Sequence, residues 1–166
     1  TADGLVDSES HSAGRGRPTQ IWYLTQAGHG RFPDTHAEMT VQMIGAVRQV
    51  FGDEGVEKLI QVREAAMLNS YHQAMLGAKD LAARLERLVQ VRSSEGYMAE
   101  LRQDGADYLF IENHCPICSA AKACMGFCRS ELELFRNVLG AGVTVDREEH
   151  ILAGARRCAY RVSTRP

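Results

Sequence analysis

Four of the five cysteines fall within fourteen residues, from Cys115-Pro116-Ile117-Cys118 to Cys124-Met125-Gly126-Phe127-Cys128, and the fifth follows in Arg156-Arg157-Cys158-Ala159-Tyr160. Thiolates this close repel one another and oxidise unless a cation neutralises them, so the spacing asks for a metal. Cys115-x-x-Cys118 alone serves zinc, iron-sulfur clusters and dithiol redox sites alike. A thioredoxin-like site needs a βαβ setting, and here the pair has three further cysteines and antiparallel surroundings. Structural zinc prefers two paired knuckles. The second half here is Cys124-x-x-x-Cys128 with a distant Cys158, which keeps zinc as the alternative. The small residues Ser119, Ala120, Ala121, Ala123 and Gly126 leave room for a bulkier guest, and an iron-sulfur cluster is the leading reading.

The elements that must position these sulfurs are legible from periodicity. Gly4-Leu5-Val6 and Gln20 to Thr25 read as two strands, with Asp7 to Pro18 as a long hairpin loop. A lone two-stranded ribbon is marginal in water, so a preceding element is expected. Thr35 and Glu38 have capping-box spacing, and Met39, Met43, Val47 and Phe51 form a stripe with Ile44 and Val50 beside it, ended by Gly52. A second helix is expected over 53–76, with Val56, Leu59, Ile60, Met67, Tyr71 and Met75 on its apolar side. The third spans 79–92 and buries Leu81, Leu85, Leu88 and Val89. These stripes read as core or dimer packing.

The period then shortens. Residues 97–101 and 108–111 flank Asp104-Gly105 as a hairpin, Pro116 suits a first helical turn, and 131–139 reads as a helix stopped by Gly140. A second hairpin, 143–151 with 158–162 around Gly154, puts Cys158 on a strand beside the helical cysteines. The fold class is therefore α+β in three parts: a ribbon over 1–31, a helical dimerisation region over 32–93, and a small cysteine-rich domain with antiparallel hairpins over 94–166.

Whole-chain properties set the boundaries. With 166 residues, 45% of them apolar, the chain can build one good core or two small ones. No signal-like N-terminal pattern and no apolar run of membrane-spanning length occurs, which points to the cytoplasm and no membrane partner. Its 19 basic and 21 acidic side chains neither announce nor exclude nucleic acid, since DNA binding needs only a local basic patch. There is no Gly-rich phosphate loop, Ser/His/Asp arrangement or paired-carboxylate site, so no enzyme is expected.

Several segments together resemble the SufR-type repressors, winged-helix regulators near the ArsR and DeoR groups. They are Ala2 to Val6, Gly14-Arg15-Gly16-Arg17-Pro18, Trp22 to Thr25, Asn113-His114-Cys115-Pro116, the C-x12-C interval to Cys128, and Gly154-Ala155-Arg156-Arg157-Cys158-Ala159-Tyr160. That resemblance implies a cytoplasmic homodimer that binds a palindromic DNA operator and carries a cluster, 4Fe-4S being favoured, on Cys115, Cys128 and Cys158. The family's helix-turn-helix is expected before residue 1, which leaves here a winged-helix remnant, the wing, with Arg15 and Arg17 as DNA-binding residues of the kind that enter a narrow minor groove. Members with a fourth cysteine place it where this chain has Gly142 or Val143. Cys118, Cys124 and His150 are the substitutes, in that order. His114 reads as a cap or a satisfied hydrogen-bonder. The alternative is a ligand-responsive regulator similar to the vinyl-reductase-type domains, with structural zinc and an apolar small-molecule pocket. An electron-transfer protein would need an exposed cluster, and the wing argues against it.

Overall fold

The structure, a computed structural model, describes residues 3–12, 14, 16–32 and 34–164. It divides into two compact units, 1–37 and 38–166. In the first, β1 (Val6–His11) and β2 (Thr19–Leu24) pair antiparallel from Val6↔Leu24 to His11↔Thr19. The first strand thus runs five residues into the segment expected as loop. Alternation explains this: Val6, Ser8 and Ser10 face one way and Asp7, Glu9 and His11 the other, and polar side chains suit a ribbon solvated on both faces. A short α1 (Gln26–His29) follows, capped by Thr25, whose Oγ1 accepts from Gly28 N–H at 3.1 Å and donates to the Gly4 carbonyl at 2.7 Å. Gly28 is required there, because a Cβ would collide with the Leu5 carbonyl oxygen. Ile21, Trp22, Tyr23 and Leu24 all stay exposed. Arg17 is an exposed loop residue. Arg15, the other expected DNA-binding residue, lies outside the described residues, as does Pro33, expected at the helix entry.

The long helix α2 (His36–Ala74) is broken at Gly52, where φ 71° and ψ −174° leave the helical region. A left-handed φ favours glycine, and the sequence supplies one at the break between the two expected helices. Asp34 Oδ1 accepts from the His36 N–H at 3.2 Å, so the first turn is held by Asp34 in place of the expected Thr35 box. Of the expected stripe on the first arm, Ile44 is buried, while Met39, Met43, Val50 and Phe51 are exposed. On the second arm Val56, Ile60, Tyr71 and Met75 are buried and Leu59 and Val62 are not. Then α3 (Leu81–Ser94) begins at an Asp80 cap whose carboxylate accepts from Ala83 N–H at 2.8 Å, and buries Leu85, Leu88 and Arg92.

The remainder is an antiparallel sheet of β3 (Ala99–Asp104), β4 (Asp107–Glu112), β5 (Val143–Glu149) and β6 (Cys158–Thr164), in the order β3-β4-β6-β5. Between β4 and β5 lie α4 (Cys118–Ala123) and α5 (Gly126–Leu139). The last helix starts five residues before the expected Glu131, because Phe127, Cys128, Glu131, Leu134, Phe135, Val138 and Leu139 form one buried i, i+3, i+4 stripe. Phe110, Phe135 and Tyr160 meet at the centre with ring centroids 5.1 to 5.9 Å apart, Phe135 edge-on to both others. Tyr71, Met75, Leu85 and Leu88 close this core from the helical side. A second cluster joins Ile44, Val56 and Ile60 of α2 to Phe127, and the Arg129 to Glu57 bridge at 2.6 Å fastens α5 to the same helix. The architecture is α+β.

Candidate metal centre

The cysteines reach the centre from four different local structures. Cys115 lies in the turn after β4, and its sulfur is supported by the Ile117 N–H. Cys118 is the first residue of α4 and its N–H bonds the Cys115 carbonyl at 3.2 Å. Cys128 sits on the buried stripe of α5, carried inward by the same helical period that buries Phe135. Cys158 opens β6, with the Ile151 N–H on its sulfur. All five cysteines are free thiols.

Burial dominates the electrostatics of the thiols. Burial above all, with Glu131, Cys118 and Cys158 adding to it and the Ile117 N–H opposing, pushes the Cys115 thiol up to about 12. Burial likewise raises Cys128 to about 11, with Arg147 opposing and Glu131, Cys158 and Cys118 reinforcing. Cys158 is raised by burial too, with Glu112 adding to it. Cys115 and Cys128 therefore each feel both Cys118 and Cys158. Cys124 ends α4 in an extended conformation and packs with the Ile44, Val56, Ile60 and Phe127 cluster. Among the described residues, no three His, Cys, Asp or Glu side chains converge tightly enough to hold a single metal ion.

A register shift in β5 precedes His150. Arg147 stands opposite Tyr160 and Glu149 opposite Ala159, so Glu148 is an extra residue in β5. Without it Glu149 would face Cys158. With it Glu149 pairs with Ala159, and His150 follows the paired segment, still extended at φ −137° and ψ 121°, directly before Ile151, whose N–H lies on the Cys158 sulfur. Its Nε2 is buried and has no hydrogen-bond partner. Burial and the Arg147 charge lower its pKa, which leaves a neutral imidazole. Arg147 donates from Nη2 to the Cys128 carbonyl at 2.6 Å and stacks over Tyr160, yet its buried Nε also lacks a partner. Val143, where family members with a fourth cysteine carry it, pairs with Thr164 at the other end of the same ladder, about 20 Å of strand from Cys158. His114 is exposed.

Behind the sulfurs lies a buried ion network that sequence reading missed. Arg92 is fully buried, with Nε 2.5 Å from Glu112 and Nη2 3.2 Å from Glu131, and its guanidinium lies 3.2 Å from the Tyr97 ring centroid. Burial works against the charge of Arg92, but Glu112 and Glu131 outweigh it and hold its pKa well above the usual value. Glu112 is the direct cross-strand partner of Cys158, and Glu131 is one turn beyond Cys128 on the same stripe. The available signal was the placement of Glu131 at i+3 from Cys128 and i−4 from Phe135, a charged residue inside an apolar period.

The donor set suits a cluster of iron and sulfide: soft thiolates from a turn, two helices and a strand, with two unpartnered nitrogens on Arg147 and His150 close by. Compared with known proteins, the chain matches no family model and no curated sequence.

Proposed function

We propose that this protein is an iron-sulfur-sensing, DNA-binding transcriptional regulator that works as a homodimer, a repressor of iron-sulfur assembly or related iron and redox genes. The observation that carries it is that Cys115 and Cys128 each feel Cys158 and Cys118, although these residues lie on elements separated by as many as 43 positions in the chain. A four-iron cluster spreads its ligand sulfurs over the corners of a cube, further apart than ligands on one ion. Bound there, the group would supply a ligand sensitive to oxidation and to iron supply. Because the three cysteines belong to a turn, a helix and a strand, their common ligation contributes free energy only in the assembled domain. Its loss loosens that domain and changes the protein's affinity for DNA.

The β1–β2 ribbon supports the wing reading, with Arg17, and Arg15 in the same loop, as the phosphate or minor-groove contacts. Met39, Met43, Val50, Phe51 and Val62, exposed along α2, support pairing of two copies through that helix. No helix is long and apolar enough to cross a membrane. A cytoplasmic site of action accords with free thiols awaiting a metal.

A second reading rests on a cleft of about 330 Å³ lined by Met43, Ile44, Leu59, Arg63, Ile117 and Phe127. It is at the small end for a ligand pocket and mostly apolar, as a small-molecule sensor with structural zinc would have. Anaerobic purification separates the two. The cluster reading expects brown protein with about four iron and four sulfide per chain that bleaches in air. Stoichiometric zinc with no iron after anaerobic reconstitution overturns it and leaves the cleft reading.

A further inference from the structure

We propose that His150, through Nε2, is the fourth protein ligand of the cluster held by Cys115, Cys128 and Cys158, an assignment that rests on the cluster reading above.

Three independent features of the fold lead to it. The first is the bulge. The extra residue at Glu148 sets Glu149 opposite Ala159 instead of Cys158, and leaves His150 as the next residue along, beside Ile151, whose N–H lies on the Cys158 sulfur. Bulges beside functional sites serve to re-aim side chains in this way. The second is satisfaction: a buried imidazole nitrogen without a partner is costly, and Nε2 of His150 is one. A thiol is different, because a half-buried cysteine behaves as a small hydrophobe and tolerates the lack of a partner. Cys118 therefore has no comparable need of a metal, although it neighbours Cys115 and Cys128. The third is coverage. Cys115 and Cys118 approach from the same turn, three residues apart, whereas His150 comes from the opposite hairpin together with Cys158. The Ile151 N–H on the Cys158 sulfur fixes the backbone immediately after the histidine.

Arg147 belongs to the same arrangement as a positioning residue. Its Nη2 is committed to the Cys128 carbonyl, and its buried Nε–H is left as a donor in the region of Cys128 and Cys158. A donor of that kind accepts a sulfur partner and offsets the negative charge that thiolates bring.

The test uses the whole chain, reconstituted anaerobically and reduced, and reads the ligand nucleus by pulsed electron paramagnetic resonance, with 15N-histidine labelling. The expected result is a strongly coupled imidazole nitrogen in the unsubstituted protein and in Cys118→Ser, absent in His150→Ala and in His150→Cys. His150→Cys is expected to keep full iron and sulfide, which shows that the domain still folds and that the nitrogen signal came from this residue. A fully loaded cluster without nitrogen coupling overturns the proposal and leaves the cluster reading intact. Loss of cluster from Cys118→Ser, with His150→Ala unaffected, assigns the position to Cys118 instead. No iron bound to any form sinks the cluster reading itself.

Discussion

Arg92→Met is the perturbation that most directly tests the structure beneath the metal centre. The substitution keeps the length of the stem and removes the charge. It takes away the contacts to Glu112 at 2.5 Å, Glu131 at 3.2 Å, Glu95 at 3.3 Å and the Tyr71 hydroxyl at 3.2 Å, together with the stacking on Tyr97. Glu112 and Glu131 are 2% and 4% exposed, so water does not replace the lost cation, and Arg63, 4.0 Å from Glu131, is the nearest remaining one. Breaking a buried pair from one side costs about 3–5 kcal/mol, a large part of the roughly 5–15 kcal/mol that a domain has. In urea, with a slope of about 2 kcal/mol per molar, the midpoint followed by circular dichroism falls by about 2 M. The triple variant Arg92→Met, Glu112→Gln, Glu131→Gln recovers most of that loss, because no buried charge is then left unpaired. The deficit of the single variant also narrows in acid. Burial already raises Glu112, and a carboxyl whose folded pKa lies above its unfolded value favours the fold below the unfolded pKa and loses that contribution as pH rises through the folded one. A deficit under about 1 kcal/mol, or one that the triple variant does not reduce, refutes the argument that uncompensated carboxylates are the cause.

Three further outcomes follow from the same geometry. Ser substitution of Cys115, Cys128 or Cys158 abolishes iron and sulfide retention, whereas Cys124→Ser, at a residue that packs with the Ile44, Val56 and Ile60 cluster, keeps both; elemental analysis after desalting decides it. In the metal-free protein, Cys115 and Cys128, with thiols pushed up to about 12 and about 11, alkylate slowly at pH 8 and speed up about tenfold per pH unit until those values are approached; rates like that of free cysteine at pH 8 contradict their burial. Replacing Arg15 and Arg17 together with Ala weakens binding to all DNA sequences alike and lowers the slope of log K against log salt by about 2, and an unchanged slope counts against the wing.

The sequence by itself determined the local elements, because their causes are local. Gly52 and Gly77 punctuate the long helices, Asp104-Gly105 turns the first hairpin of the sheet, and apolar periods of 3.6 and 2 distinguish α3 and α5 from β4 and β6. The cysteine spacing also named the candidate ligands, since thiolate chemistry depends on residue type. What the tertiary structure decided depends on register and burial, which single-residue patterns do not carry. One inserted residue at Glu148 sets Glu149 opposite Ala159 instead of Cys158, and nothing local in Arg147-Glu148-Glu149-His150 says which residue bulges. Arg92, Glu112 and Glu131 read as solvated charges until α3, β4 and α5 close around them, since a buried ion is tolerated only when partners far apart in the chain arrive together. The Met39, Met43 and Phe51 stripe read as core or dimer packing by its period; burial within the chain takes in only Ile44 beside it and leaves these three exposed.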